Sequence, residues 1–368
     1  MNSAMKFIIL MGLVSLFGDV TYEGARSIVG PYLATFGLTA LMVGLVTGFG
    51  EFVGYGLRLI SGFVADRTGR YWFITFLGYF LILCIPLLAF AQSWWIAALL
   101  IVVERLGKAI RTPARDAMLS FATKKVGRGM GFGIHEFLDQ IGAIIGPLIV
   151  FSALAGYGYR EAFMVLFLPA LFALLTLLRT WKLYPATQKF EKEKHEGIEK
   201  SFWLYSTFVF LSVLGFLSFP LLSYHLASRV DLKLIPLLYA LAMGVDALFA
   251  LISGRCYDKI GLKTLIIVPV LTPAVLLAFH PYGVFVGVAA WGAVMGAHEA
   301  ITRAAVADLT GVKKRSTAYG IFNAVFGVAM FAGGAVLGFL YDISMTFLVL
   351  FVLAAEIAAL LILLAILK

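Results

Sequence analysis

Residues 62–70 read GFVADRTGR, and the run Tyr71 to Ala91 that follows carries no charge at all. The stretch has the chemistry of a tight connection between two apolar helices. Gly62 and Gly69 allow close backbone approach and a sharp turn, Asp66 ends the first helix as an acceptor, and Arg67 and Arg70 present forked donors beyond it. The pattern returns 192 residues later as GRCYDKIGLK, residues 254–263, with Gly254 in place of Gly62 and Asp258 in place of Asp66. At the same offset, Arg111 and Asp116 recur as Arg303 and Asp308, and after a shorter loop RGMGFG at 128–133 aligns with RSTAYG at 315–320. Register matches of this number make the chain an internal duplication, a recurrent design of membrane transporters. The second copy departs at Leu262 and has Lys259 and Lys263 for arginines, so its ion pairing is expected to be less directional.

Outward from this repeat, the composition leaves one solvent that suits the chain. Of its 368 residues 62% are hydrophobic and 13% charged, about half the usual charged share. A protein of this size has too little interior to hide so much apolar side chain, so most of its surface must face lipid. Breaks near 37–39, 66–70, 92–93, 124–128, 156–160, 182–200, 228–233, 259–263, 280–283, 312–316 and 341–344 delimit twelve apolar segments. Met1 to Phe17 resembles a signal peptide but lacks a small-x-small cleavage site and runs on into Asp19 and Glu23, so it reads as the first span. The expected fold is all-α: a polytopic membrane protein with twelve transmembrane helices in two pseudo-symmetric six-helix bundles. Residues 1–182 form the first bundle, 183–200 a charged linker and 201–368 the second. Alternate loops hold seventeen lysines and arginines on one side and three on the other, which predicts a multi-pass protein of the cytoplasmic membrane with both termini cytoplasmic. The net charge of +9 is therefore read as loop topology and not as a nucleic-acid surface. Cys84 and Cys256 lie in separate segments and imply no disulfide framework.

These residues resemble the major facilitator superfamily, whose loop between helices 2 and 3 carries G-x-x-x-D-R-x-G-R. Gly62, Asp66, Arg67, Gly69 and Arg70 fill every one of those positions. The resemblance covers the whole chain in helix number, linker position, both copies of the loop and orientation. It implies a cytoplasmic gate made on one side of the transport cycle and broken on the other. Its members here would be Gly62, Asp66, Arg67, Gly69, Arg70 and Asp116, with Asp258, Lys259, Lys263 and Asp308 in the second half; Asp116 is the expected acidic partner of Arg70. In the fifth segment Gly142, Gly146 and Pro147 are similar to the start of the family's antiporter motif, G-x-x-x-G-P-x-x-G-G, while Val150 and Phe151 stand where it ends in glycines. Two glycines four apart are equally a helix-packing pattern, and both readings stay open.

The remaining signal is charge placed where lipid cannot accept it. An ionisable group at mid-bilayer costs at least about 2.5–3.5 kcal/mol, so each is expected to face the bundle interior. On the first segment Asp19, Glu23 and Arg26 share one helical face; the second adds Glu51, and the fourth a stripe with Glu104, Arg105 and Lys108 about a dozen residues from the cytoplasmic end. Arg111, Arg115 and Asp116 lie nearer that end, where they can pair with loop charges or snorkel; the structural reading is favoured for Arg115 and Asp116. On the fifth segment His135 and Asp139 are four apart, a pairing suited to proton exchange; Glu136 points elsewhere. The second half offers Asp246 and Glu299 as candidates, besides His225, His298 and Glu356.

Taken together, these features predict a secondary transporter of a small molecule working by alternating access, coupled to protons, with export by proton antiport favoured. The alternative is proton-coupled import or exchange of a small organic anion, which Arg105 and Lys108 would suit. A non-transporting receptor or scaffold is the reading from a different class. No P-loop is present, and the histidines show neither H-E-x-x-H nor any C-x-x-C companion, so neither ATP-driven nor enzymatic chemistry is expected. Neither a cofactor nor a resident metal is expected. The partners are the substrate, protons and membrane lipid, without nucleic acid, and the chain is expected to be a monomer.

Overall fold

The computed structural model describes residues 3–123, 126–184, 200–310 and 315–367. Most of the linker expected over 183–200 therefore lies outside the described residues, as do Lys124, Lys125, Lys313 and Lys314 and the side chains of Arg128, Arg303 and Arg315. Twelve helical legs follow one another: α1 Ser3–Ala34, α2 Ala40–Thr68, α3 (71–90), α4 Trp94–Thr123, α5 Arg128–Gly156, α6 Tyr159–Leu183, α7 (200–226), α8 Ile235–Ile260, α9 (261–279), α10 Val284–Asp308, α11 Arg315–Ile343 and α12 Met345–Ile366. Ten described runs are long and apolar enough to cross a membrane. One of these, Leu232–Phe279, is divided at Gly261, where φ is +58°, into α8 and α9. The remaining leg is α4, whose Glu104, Arg105, Lys108 and Arg111 make it too charged to pass as an apolar span.

The duplication is visible in the packing. In the first half α1 lies against α5 and α6, and α4 against α2 and α3. In the second, shifted by six helices, α7 lies against α11 and α12, and α10 against α8 and α9. The halves meet through α2 with α11, α5 with α8, and α1 with the second leg of α7. The first two contacts are themselves exchanged by the same six-helix shift, so the seam follows the pseudo-twofold axis.

Small residues set how closely the seam closes. A side-chain carbon at Gly44 would lie 2.0 Å from the Gly334 carbonyl oxygen, so α2 and α11 touch backbone to backbone there. Outer faces are apolar: Phe167, Leu168, Leu171, Phe172, Leu175 and Leu178 of α6 are exposed, as are Phe347, Leu350, Ile357, Leu361 and Leu364 of α12. Spacings of three and four residues make one continuous lipid stripe on each helix.

Candidate functional site

The charges of the first half converge on the seam. α1, α2 and α4 each place a stripe inward, and the stripes interlock as an alternating chain of acids and arginines. Glu23 meets Arg26 at 3.8 Å, Arg26 meets Glu51 at 3.4 Å, and Glu51 meets Arg105 at 3.5 Å. Arg105 then meets Glu104 at 2.9 Å, and Glu104 meets Arg111 at 3.3 Å. Three carboxylates and three guanidinium groups balance, which is how a membrane interior tolerates ions whose isolated burial would be prohibitive. The Glu104 side chain is 1% exposed, so its two arginines replace water entirely.

Lys108 is an additional cation. It makes no ion pair among the described residues; its ammonium lies 4.3 Å from the Tyr22 ring centroid, and the Arg105 guanidinium lies 3.5 Å from the centroid of the same ring. Asp19, on the same face of α1 as Glu23, likewise makes no ion pair among the described residues. A cavity of about 30 Å³, lined by Arg26, Thr47, Glu51, Glu104 and Arg105 with Pro220 of the second half, lies beside the chain of ion pairs. That is the share of one water, whereas small-molecule pockets run to about 300–1,000 Å³.

Among the described residues, two hydrogen bonds between side chains tie the halves across the seam. The Tyr239 hydroxyl of α8 donates to Glu23 at 2.5 Å, and the Gln140 amide of α5 donates to Asp246 of α8 at 3.5 Å. Asp246 is 2% exposed, and its other carboxylate oxygen has no hydrogen-bond partner. Glu299 of α10 is an acidic neighbour of Asp246 and is half-buried.

Towards the basic loops a second cluster forms. The His135 ring approaches Asp139 at 3.6 Å through Nδ1 and lies 2.9 Å from the Ser15 hydroxyl through Nε2. Arg115 donates to that same hydroxyl at 2.8 Å and pairs with Asp116 at 3.0 Å. His135, Glu136 and Asp139 bring ligand atoms within 4.8 Å of one another, the one group of three histidine, cysteine or carboxylate side chains so placed among the described residues; Glu136 is exposed. Arg115 beside the set opposes a cation there.

Of the gate residues expected from sequence, Asp66 accepts from the Tyr71 hydroxyl at 3.0 Å, while Arg67 and Arg70 are exposed. Gly69 takes φ +67° and its N–H bonds the Ala65 carbonyl, ending α2; Gly62 meets Pro113 only at ordinary contact distance. Asp116 does not pair with Arg70: its partner is the adjacent Arg115, because both lie on the same turn of α4. In the second half Asp258, Lys259 and Lys263 are exposed, and Asp308 accepts from the Tyr257 hydroxyl at 2.8 Å. Arg111, for which the sequence leaves snorkelling as one open reading, is 3% exposed and closes the chain of ion pairs. Its spacing of seven from Glu104 carried that information. Tyr22, Ser15, Gln140 and Tyr239 also belong to the seam, and no charge pattern marked them. At Gly142 and Gly146 a side-chain carbon would lie 2.4 Å from the Leu16 and Val20 carbonyl oxygens, so both glycines pack α5 against α1.

Two related six-helix units around a buried polar seam define a membrane transporter and not an enzyme. The chain belongs to the major facilitator superfamily: residues 9–279 and 204–368 match that family. An uncharacterized protein of Mycobacterium tuberculosis (strain ATCC 25618 / H37Rv) is 45% identical over 99% of this chain and 93% of its own length. An uncharacterized MFS-type transporter of Methanocaldococcus jannaschii is 29% identical over 93% of this chain and 91% of its own. Among solved structures, a peptide transporter POT in complex with sulfate superposes with a TM-score of 0.79 at 15% identity, covering 98% of this chain and 94% of that one. At that identity the likeness concerns the fold.

Proposed function

We propose that this secondary transporter exports a small molecule across the cytoplasmic membrane in exchange for protons, with its basic loops and both termini on the cytoplasmic side. The observation that carries the reading is the pair of cross-seam bonds. Glu23 and Asp246 are protonatable groups whose partners, Tyr239 and Gln140, sit on the opposite half. Rocking the halves apart must break both bonds, so the protonation of these carboxylates and the opening of the seam bias one another. Asp19, Asp139 and His135 extend the titratable groups towards the basic loops, and Arg26, Glu51, Glu104, Arg105 and Lys108 line the place where substrate and proton would compete. Glu299 belongs to the same set through Asp246. The loop clusters from Gly62 to Arg70 with Asp116, and at Asp258, Lys259, Lys263 and Asp308, act as the cytoplasmic gate in this reading.

The test is proton flux in proteoliposomes that contain a pH-sensitive dye and are offered a panel of anions, cations and drugs. A transported compound is expected to move protons in the opposite direction, and Asp139→Asn to abolish that movement while the protein remains folded. Compound flux with no proton movement would refute the coupling. A second reading, import or exchange of an organic anion, is favoured by Lys108, whose ammonium makes no ion pair among the described residues. It requires proton-coupled uptake of the anion, or its exchange for internal anion, with loss of affinity in Lys108→Met in either case.

A further inference from the structure

Away from the seam, the second half holds a buried carboxylate that this transport reading does not use. α7 is cut in mid-course: its first leg, Lys200–Gly215, stops, and Phe219–Leu226 resumes after Phe216, Leu217 and Ser218. The cause is local. Ser218 is extended (φ −68°, ψ 146°) and starts the new leg, and Pro220, which has no N–H to bond back, fits only in that leg's first turn. The Leu217 carbonyl freed by the break is taken by the Trp291 indole N–H at 2.8 Å. The first leg therefore ends inside the protein, with its last carbonyls and the negative end of its dipole facing inward.

Glu356 of α12 lies beside that end. It is 2% exposed, and its Oε1 sits 3.1 Å from where a side-chain carbon of Gly215, the last residue of the leg, would be. The Ser212 hydroxyl, one turn earlier, lies 3.4 Å from Oε2, and Oε1 has no hydrogen-bond partner. Thr272 of α9 places a second hydroxyl next to the carboxyl. No lysine, arginine or histidine pairs with it among the described residues. A carboxyl facing the negative end of a helix, with no counter-charge among the described residues, must be neutralised by a proton or by a bound cation, and the unpartnered Oε1 among other oxygens leaves a position for the second.

The surroundings select the kind of cation. Every donor is a hard oxygen, which excludes soft metals. One carboxylate balances one charge, so a divalent ion would leave an uncompensated positive charge in the core. Neighbouring oxygens in an octahedral shell at about 2.4 Å from an ion lie about 3.4 Å apart, which matches the Ser212–Glu356 separation and exceeds an ordinary hydroxyl hydrogen bond. We infer that Glu356, Ser212 and Thr272, with the terminal carbonyls of the first leg of α7, form a sodium site that ties the break in α7 to α9 and α12. Interrupted membrane helices provide ion sites of this type, because unwound carbonyls and helix C-termini supply the ligands.

The full-length protein in detergent, unfolded by heat in sodium chloride against choline chloride at constant ionic strength, tests this. The unfolding midpoint is expected to rise saturably with sodium, Glu356→Gln to remove the rise, and Ser212→Ala to weaken the apparent sodium affinity about 10-fold or more. Wild-type protein indifferent to sodium, or Glu356→Gln responding as wild type does, overturns the site. If Glu356→Gln does not fold, Ser212→Ala decides, and unchanged affinity there counts against the proposal. Asp139→Asn is expected to keep the sodium response, which separates this site from the proton reading of the seam; loss of the response in that variant overturns the assignment to Glu356.

Discussion

Glu104 is the residue on which the buried chain of ion pairs turns, because it bridges two arginines and is the least exposed of the three carboxylates. Removing one partner from a buried pair strands the other charge, at a cost of about 3–5 kcal/mol, whereas removing both can be nearly neutral. Glu104→Gln is therefore expected to lose about 3 kcal/mol of unfolding free energy in mixed micelles. Adding Arg111→Met should return part of that loss, since the two residues share one contact. A single variant within about 0.5 kcal/mol of wild type would show that the pair is solvated, as surface substitutions are. At this scale the sequence was half legible. Charges in apolar helices announced that they face inward, and the spacing of Glu104, Lys108 and Arg111 placed them on one face. It did not announce partners. Asp116 joins Arg115 instead of Arg70, and Glu23 joins Tyr239 of the other half, because pairing across elements depends on how helices rotate against each other.

At the scale of elements, glycine carries the seam between α2 and α11. Close approach at Gly44 and Gly334 leaves no room for a side chain, and because the contact lies between halves, enlarging it disturbs neither half's own core. Gly44→Val is expected to cost about 1–3 kcal/mol, in the range of overpacking. It should abolish substrate flux while each half keeps its helicity; retained flux in proteoliposomes would mean that the two helices need not touch. The helical spans themselves were readable because lipid permits little else, and the repeat at an offset of 192 residues gave their order. Their irregularities were not. α3 turns to a tighter winding at residues 81–83 and 88–90, and α9 at 261–266 and 272–279, around Pro86, Pro269 and Pro273. A proline shows where a helix loses a hydrogen bond, but packing decides whether it kinks, tightens or breaks.

For the whole molecule the question is which face of the seam is held shut. On the face opposite the basic loops, Asp342 at the end of α11 accepts from the backbone N–H groups of Ala40 at 3.0 Å and Leu41 at 2.9 Å, the first residues of α2. A carboxylate from one half thus caps a helix of the other, satisfying two donors that α2 cannot pair internally and complementing its dipole. Alternating access requires that cap to be released whenever this face opens. Losing an N-terminal cap costs about 0.5–2 kcal/mol, so Asp342→Ala should shift the closed-to-open ratio of this face by up to about 30-fold. A cysteine in place of Leu221, fully buried on the second leg of α7, reports it once Cys84 and Cys256 have been replaced. Its labelling by a membrane-impermeant maleimide is expected to accelerate in Asp342→Ala by that factor and by less in Asp342→Asn, whose amide oxygen still accepts one bond. The sign of the effect also distinguishes a latch from a structural cap: a latch raises labelling with the unfolding midpoint nearly unchanged, whereas a cap needed for folding lowers the midpoint with no selective opening of this face.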